Sequence, residues 1–172
     1  MTIHGDHPFL PPESDRSPVR RFRGRLPSPV GLWTTSYESG RAGLTVSSMV
    51  IADGEPGYVV GLLDPESDLC EMLLKARTAV VSLLGEPHQQ LADAFGYVAP
   101  APGGPFRMAE WTDTEWGPAL ASATTWAGCR LAEPPPREIG WSLEVILEIQ
   151  HVELLPDTQP PLVHRRGRYL LS

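Results

Sequence analysis

The sequence has no long apolar segment and very little cysteine. None of its apolar runs approaches the ~20 residues that a membrane helix needs, and the first residues lack the apolar block typical of a signal peptide. The two cysteines, Cys70 and Cys129, have no CxxC or Cys/His spacing around them. We therefore expect a cytoplasmic protein that does not contact a membrane, with two buried, reduced thiols and neither a disulfide nor a zinc site.

Recognisable catalytic motifs are also missing. The chain contains no G-x-S-x-G, no H-E-x-x-H, no Walker loop and no G-x-G-x-x-G after a predicted strand. The five histidines are scattered, and only His4 and His7 are close in sequence, in a segment with nothing to organise a metal site. We therefore predict no catalytic side chain and no bound metal.

Composition excludes a long helical bundle and favours strands. The 172 residues include 19 prolines and 16 glycines, about one residue in five, and both residue types interrupt helices. The length gives room for one domain with a substantial core. A single all-β or α+β domain is therefore expected.

The net charge of −7 is unevenly distributed. Residues 1–29 carry five arginines and three acids, whereas the rest of the chain carries nine basic and 18 acidic side chains. Because nucleic-acid binding is driven by a cationic surface, the acidic body disfavours a nucleic-acid partner, although residues 20–25 resemble an anion-binding arm. Six prolines and little apolar periodicity predict that residues 1–29 form an arm, disordered or draped over a domain of residues 30–172.

Six or seven strands and two short helices are predicted within that domain. Apolar and alternating patterns predict strands at 30–37, 44–51, 58–63, 78–84, 123–131 and 143–150, with a further extended segment at the C-terminus. Helical spacing of apolar residues predicts one amphipathic helix with Ser67 as its N-cap and a second one opened by Pro87. Residues 96–119 form a long excursion, which more often shapes a site than merely connects elements. This set suits a small closed barrel.

Two segments have the side chains to bind a ligand. Thr45, Ser47 and Ser48 place hydroxyls along one predicted strand, with Thr45 and Ser47 on the same face. They suit a polar, planar or phosphorylated ligand, or they merely fill the outer face of an ordinary strand. His164 to Arg168 gathers three arginines around Gly167, and arginine forks match phosphate oxygens. The same segment is also typical of a solvated tail.

The order of several short segments resembles that of a known family. These segments are Pro29-Val30-Gly31, Ala42-Gly43-Leu44-Thr45-Val46-Ser47-Ser48, Glu55-Pro56, Leu63-Asp64, the strand from Val80, 90–96, Pro118-Ala119-Leu120, Pro161-Leu162-Val163 and Gly167-Arg168-Tyr169. The second of them is similar to an A-G-x-T-A-S-S flavin loop. From about Pro29 to Tyr169 the chain is similar to the flavin reductase-like family, the reductase components of two-component flavin monooxygenases.

The resemblance implies a mainly β (α+β) fold, an FMN-binding split β-barrel that forms a homodimer with flavin beside the subunit boundary. It implies flavin contacts from Thr45, Val46, Ser47 and Ser48, with Asp64 and Ser67 in a turn by the phosphate and Phe95 helping to wall the site. NADH or NADPH would pass hydride to FMN or FAD, and the reduced flavin would leave for a partner oxygenase or for oxygen. His164, Arg166 and Arg168 are assigned to the nicotinamide side from their charge alone.

The chain departs from the family pattern at two places. Asp64-Pro65-Glu66 stands where many members have an Asn-Arg or similar basic residue, and Gly140-Trp141-Ser142 stands where they often have Gly-Asp-His. Leu147 takes the place of a glycine within the following strand. Two functions therefore stay open: an NAD(P)H-dependent flavin reductase, and a non-catalytic flavin-binding or flavin-storage protein of the same fold.

Overall fold

Thirteen strands and three α-helices make up residues 13–172, the part of the chain that this computed structural model describes. The strands are β1 (Ser28–Pro29), β2 (Gly31–Tyr37), β3 (Gly40–Val46), β4 (Met49–Ala52), β5 (Tyr58–Leu63), β6 (Thr78–Leu83), β7 (Trp111–Thr114), β8 (Gly117–Leu120), β9 (Thr125–Leu131), β10 (Arg137–Ile139), β11 (Ser142–Leu154), β12 (Val163–Arg165) and β13 (Arg168–Leu170). The helices are α1 (Pro18–Arg25), α2 (Asp68–Ala76) and α3 (Gln89–Phe95).

The main sheet is curled, and its two edge strands are consecutive in the sequence. Its order is β3-β2-β6-β9-β11-β5-β4, all antiparallel, and β10 pairs with β11 outside this path. Only Ser47 and Ser48 separate β3, at one edge, from β4, at the other. The backbone N–H of Leu62 on β5 donates to the Ser48 carbonyl at 2.9 Å. The two-residue segment Ser47–Ser48 is therefore the seam of a small half-barrel.

The interior of the half-barrel is apolar and is closed by α2. Trp33 is completely buried there, and Leu69 and Leu73 of α2 contribute to the same cluster. Cys70 and Cys129 are also buried in it as free thiols, and burial raises the pKa of both, that of Cys129 to about 12. The expectation of two buried thiols without a disulfide is confirmed.

A second apolar cluster covers the outer face of the sheet. Leu32 and Phe95 are completely buried in it, and Phe106 packs edge-on against Phe95 with ring centroids 4.9 Å apart. The predicted excursion supplies this cover through a short 3-10 helix, Pro105–Met108, and the β7–β8 hairpin. The excursion is thus packed on the body.

The strand predicted at 44–51 is wrong as a single element. Residues up to Val46 pair with β2, whereas those from Met49 pair with β5. The apolar pattern runs through both strands without a break, because a change of pairing partner leaves no mark on side-chain alternation. Ser47 therefore lies outside the strand that carries Thr45.

Part of the predicted N-terminal arm is helical. Ser17 caps α1 by accepting a hydrogen bond from the Arg20 N–H at 3.3 Å, and Pro18 occupies the first turn, where it is tolerated. No residue of α1 is buried, and its apolar side chains, Val19 and Phe22, are both exposed. Just beyond it, β1 pairs with β12. Residues 1–12, with His4 and His7, lie outside the described part of the chain.

The helices between residues 13 and 172 are all too short to cross a membrane. The longest, α2, has nine residues, against the ~20 that a span requires.

Candidate functional site

The seam between β3 and β4 presents three hydroxyl groups in different environments. Thr45 is half-buried, and its Oγ1 donates to the Ala92 carbonyl of α3 at 2.6 Å. Ser48 is exposed, and its Oγ donates to the Leu62 carbonyl at 2.6 Å. The Ser47 hydroxyl has no hydrogen-bond partner within residues 13–172. Ser47 can therefore donate to a ligand, while Thr45 and Ser48 retain lone pairs that can accept from one.

Val46, between these residues, points the other way. Its side chain is 3% exposed and belongs to the interior cluster of the half-barrel. Only its backbone is left for a ligand at the seam.

The turn before α2 lies at the same end of the half-barrel, directly after β5. Asp64 Oδ1 accepts a hydrogen bond from the Glu66 N–H at 2.9 Å. The Ser67 hydroxyl donates to the Asp64 carbonyl at 2.7 Å and accepts from the Cys70 N–H at 3.2 Å. The prediction that Ser67 caps this helix is confirmed. Both side chains are thus engaged in the turn, and its acids favour the helix N-terminus but repel a phosphate.

Phe95, predicted to wall the site, instead lies behind it. Its ring has no exposed surface and fits against the backbone of β3 at Gly43, where an added Cβ would lie 2.6 Å from Cε1 of the ring. The excursion packs over its other side. The ring supports β3 and offers no surface to a ligand.

The C-terminal hairpin reaches the same helix that Thr45 contacts. The Tyr169 hydroxyl donates to Asp93 Oδ1 on α3 at 2.8 Å, and burial together with this carboxylate raises the pKa of Tyr169. The His164 ring lies edge-on to that of Tyr169, with centroids 5.7 Å apart. Helix α3 is therefore held between the seam on one side and this hairpin on the other.

Arginines from the two ends of the chain meet at this hairpin. The Arg166 N–H donates to the Gly24 carbonyl at 2.7 Å, and Arg165 Nε donates to the Arg25 carbonyl at 3.0 Å. Arg166 and Arg168 are exposed. The two arginine-rich segments, separated by 140 residues, thus form one cationic surface in an acidic protein.

Two exposed aromatic residues beside the seam and the turn were not predicted as site residues. Trp141, at the β10–β11 turn, is 96% exposed and, because Leu143 pairs with Leu63, lies next to the Asp64 turn. Tyr97 follows α3 and is 60% exposed. The only sequence signal for Tyr97 is its place directly after Gly96, at the end of the predicted helix.

A histidine–serine pair elsewhere in the molecule is structural. His88 Nδ1 accepts from the Gly85 N–H at 3.0 Å, so the proton of the neutral ring is on Nε2, which donates to Ser122 Oγ at 2.9 Å. Burial lowers the pKa of His88 and keeps the ring neutral. A ring that donates to the serine cannot take its proton, so this pair holds the 3-10 turn Glu86–His88 that leads into α3 and does not activate a nucleophile.

Comparison with known proteins decides the family. A profile described as the flavin reductase like domain matches residues 23–170. The chain belongs to this family.

Among curated proteins, this flavin reductase-like chain is similar to FMN reductase (NADH) RutF 1 of Methylorubrum extorquens, with 32% identity over 118 residues, 68% of this chain and 58% of that protein. The RutF protein of Methylorubrum populi is 31% identical over 134 residues, 77% of this chain and 65% of that protein. The match thus spans about six tenths of these relatives.

Solved structures of flavin reductases share the fold of this family member. NADH:FAD oxidoreductase SgcE6 of Streptomyces globisporus superposes with a TM-score of 0.79 at 22% identity, over 95% of this chain and 96% of that one. The styrene monooxygenase flavin reductase SMOB of Pseudomonas putida gives 0.77 at 21% identity, over 90% and 96%. The expected mainly β split-barrel fold is confirmed.

Proposed function

We propose that the protein is an NAD(P)H-dependent flavin reductase that supplies reduced flavin to a partner oxygenase. The observation that carries the proposal is the seam, where a free Ser47 hydroxyl, two acceptor hydroxyls and open backbone meet at one end of a flavin reductase-like barrel. The names of the curated relatives, FMN reductase (NADH), support the reaction. Structural neighbours named as components of monooxygenase systems support the partner oxygenase.

The donors and acceptors at the seam suit a flavin ring. Such a ring carries carbonyl oxygens and an N–H along one edge, which match a donating Ser47 and accepting Thr45 and Ser48. Bound flavin, FMN or FAD, supplies the hydride chemistry itself, so the protein needs no triad or metal. The task of these residues is to orient the ring and to exclude water from one of its faces.

The cationic surface at the C-terminal hairpin is proposed to take phosphate. Carboxylates at 64, 66 and 68 surround the turn beside the seam, whereas Arg166 and Arg168 are exposed on the far side of α3. A guanidinium group can bind two oxygens of a phosphate at once through two parallel N–H donors. We assign His164, Arg166 and Arg168 to the nucleotide co-substrate, NADH or NADPH, in a reaction set in the cytoplasm.

A homodimer is proposed as the working form. Val50 of β4 is 65% exposed and Ile51 is 58% exposed, on an edge strand that no other element covers within residues 13–172. An apolar sheet edge of this kind is rarely left open to water. A second copy that covers it would also shield the neighbouring seam.

The alternative, a flavin-binding protein without reductase activity, is favoured by one observation. Gly140-Trp141-Ser142 occupies the place where the family often has Gly-Asp-His, and this place lies beside the Asp64 turn. Leu147 gives no such support, because its side chain is completely buried inside the half-barrel and does not reach the ligand side.

One experiment separates the two functions. Purified protein is titrated with FMN and with FAD while flavin fluorescence is followed, and NADH and NADPH oxidation are then measured with free flavin present. Tight flavin binding with turnover supports the reductase. Binding without turnover supports the storage protein, and absence of binding to either flavin refutes both.

A further inference from the structure

Tyr97 lies beside the strand that carries Thr45. A Cβ added at the preceding residue, Gly96, would lie 3.8 Å from Cβ of Thr45, which is an ordinary contact distance. Desolvation of the hydroxyl and the Asp68 carboxylate of α2 raise the pKa of Tyr97. The end of α3 is therefore next to the seam on the side of Thr45.

The backbone of Tyr97 adopts a conformation that favours glycine. Helix α3 ends in a Schellman motif, in which the Tyr97 N–H donates to the Ala94 carbonyl at 3.2 Å and the Val98 N–H donates to the Asp93 carbonyl at 3.1 Å. The residue after the cap then has a positive φ, and that of Tyr97 is +56°. Glycine is the usual residue there, and a bulky side chain is uncommon.

No hydrogen bond within residues 13–172 accounts for a tyrosine at this position. The residue is 60% exposed, and its hydroxyl has no hydrogen-bond partner among these residues. A strained backbone that carries an exposed aromatic ring beside a candidate site points to a role in that site.

We propose that Tyr97 forms the aromatic wall of the flavin site, with its ring stacked on the flat flavin ring held at the seam. This inference rests on the proposed function. Phe95 cannot take the role because it is completely buried. Stacking of two aromatic rings gives the ligand a planar, apolar surface that the hydroxyls of the seam do not supply.

Three substitutions test the wall. Tyr97→Phe keeps the ring, Tyr97→Leu removes the ring while keeping an apolar side chain, and Tyr97→Gly removes the side chain and suits the positive φ. Tyr37→Leu is the matched control, because Tyr37 is 44% exposed and pairs with Gly40 at the opposite end of β2 from Gly31, the partner of Val46.

The expected results separate binding from stability. Tyr97→Gly and Tyr97→Leu raise the Kd for FMN by about 2- to 13-fold and make bound FMN more fluorescent, since a stacked tyrosine quenches it. Tyr97→Phe and Tyr37→Leu bind FMN like the wild type. The Tm of Tyr97→Gly stays equal or rises, because glycine relieves the strained backbone.

Unchanged FMN affinity and fluorescence in both Tyr97→Gly and Tyr97→Leu would refute the stacking of Tyr97 on flavin. The proposed function would not be affected. A lowered Tm with wild-type affinity would also refute the stacking and would assign the ring to the fold. If the wild type binds neither FMN nor FAD, the proposed function fails and this inference fails with it.

Discussion

Removal of the Thr45 hydroxyl should lower the stability of the protein. Removal of the Ser47 hydroxyl should lower its affinity for flavin and leave its stability unchanged. In Thr45→Val, the hydrogen bond to the Ala92 carbonyl is lost, but that carbonyl still accepts from the Gly96 N–H at 2.9 Å. The cost is therefore that of one hydrogen bond, about 1 kcal/mol. For a chain of this size, the Tm should fall by about 2–4 °C.

Ser47→Ala should leave the fold unchanged, because the hydroxyl it removes has no partner within the described residues. Its free energy of unfolding should stay within about 0.5 kcal/mol of the wild type. If Ser47 donates to the flavin, the affinity should fall by ~0.5–1.5 kcal/mol, which is about 2- to 13-fold in Kd. Thermal unfolding without flavin and FMN titration measure the two effects separately.

The two variants differ in the Tm measured without flavin, which only Thr45→Val should lower. An unchanged Kd for FMN in Ser47→Ala removes this residue from the site. An unchanged Tm in Thr45→Val would mean that the bond from β3 to α3 contributes nothing to the fold, and would refute the assignment of Thr45 to a structural role at the seam.

Other contacts lead to three further predictions. Gly43→Ala should lower the free energy of unfolding by ~1–3 kcal/mol in denaturant melts, because its Cβ would overlap Phe95, whereas Gly24→Ala, with open space around it, should not. Arg166→Ala with Arg168→Ala should raise the KM for NADPH more than that for NADH in steady-state assays, and equal changes would rule out a contact with the extra phosphate. Because burial lowers the pKa of His88 from 6.5, the unfolded chain takes up the proton first and stability should fall as the pH drops below about 6.5; this part of the pH dependence should disappear in His88→Gln.

Helix α2, whose pattern depends on residues close together in the sequence, was predictable. Ser67 and the spacing of Leu69 and Leu73 specify α2 within a single segment, and the structure confirms both the cap and the buried face. The division of 44–51 into β3 and β4 was not predictable, since it depends on which distant strand each half pairs with.

The same distinction applies to the candidate site. The hydroxyl-bearing segment was found from its residue types, but the burial of Phe95 results from the distant Phe106 and Trp111 packing over it. Tyr97 was missed because a positive φ is a property of the backbone that a tyrosine in the sequence does not indicate. The link between the two arginine-rich segments likewise requires contacts across 140 residues.

The position of Ser47 and Ser48 means that a ligand bound at the seam affects the local opening of the sheet. These two residues connect β3 and β4, the two edge strands of the sheet, and edge strands are where a sheet opens most readily. A ligand that contacts both edge strands should hold them together. Amide protons of β3 and β4 should then exchange with solvent more slowly in the loaded protein than in the empty one, and the loaded protein should resist proteolysis at this place.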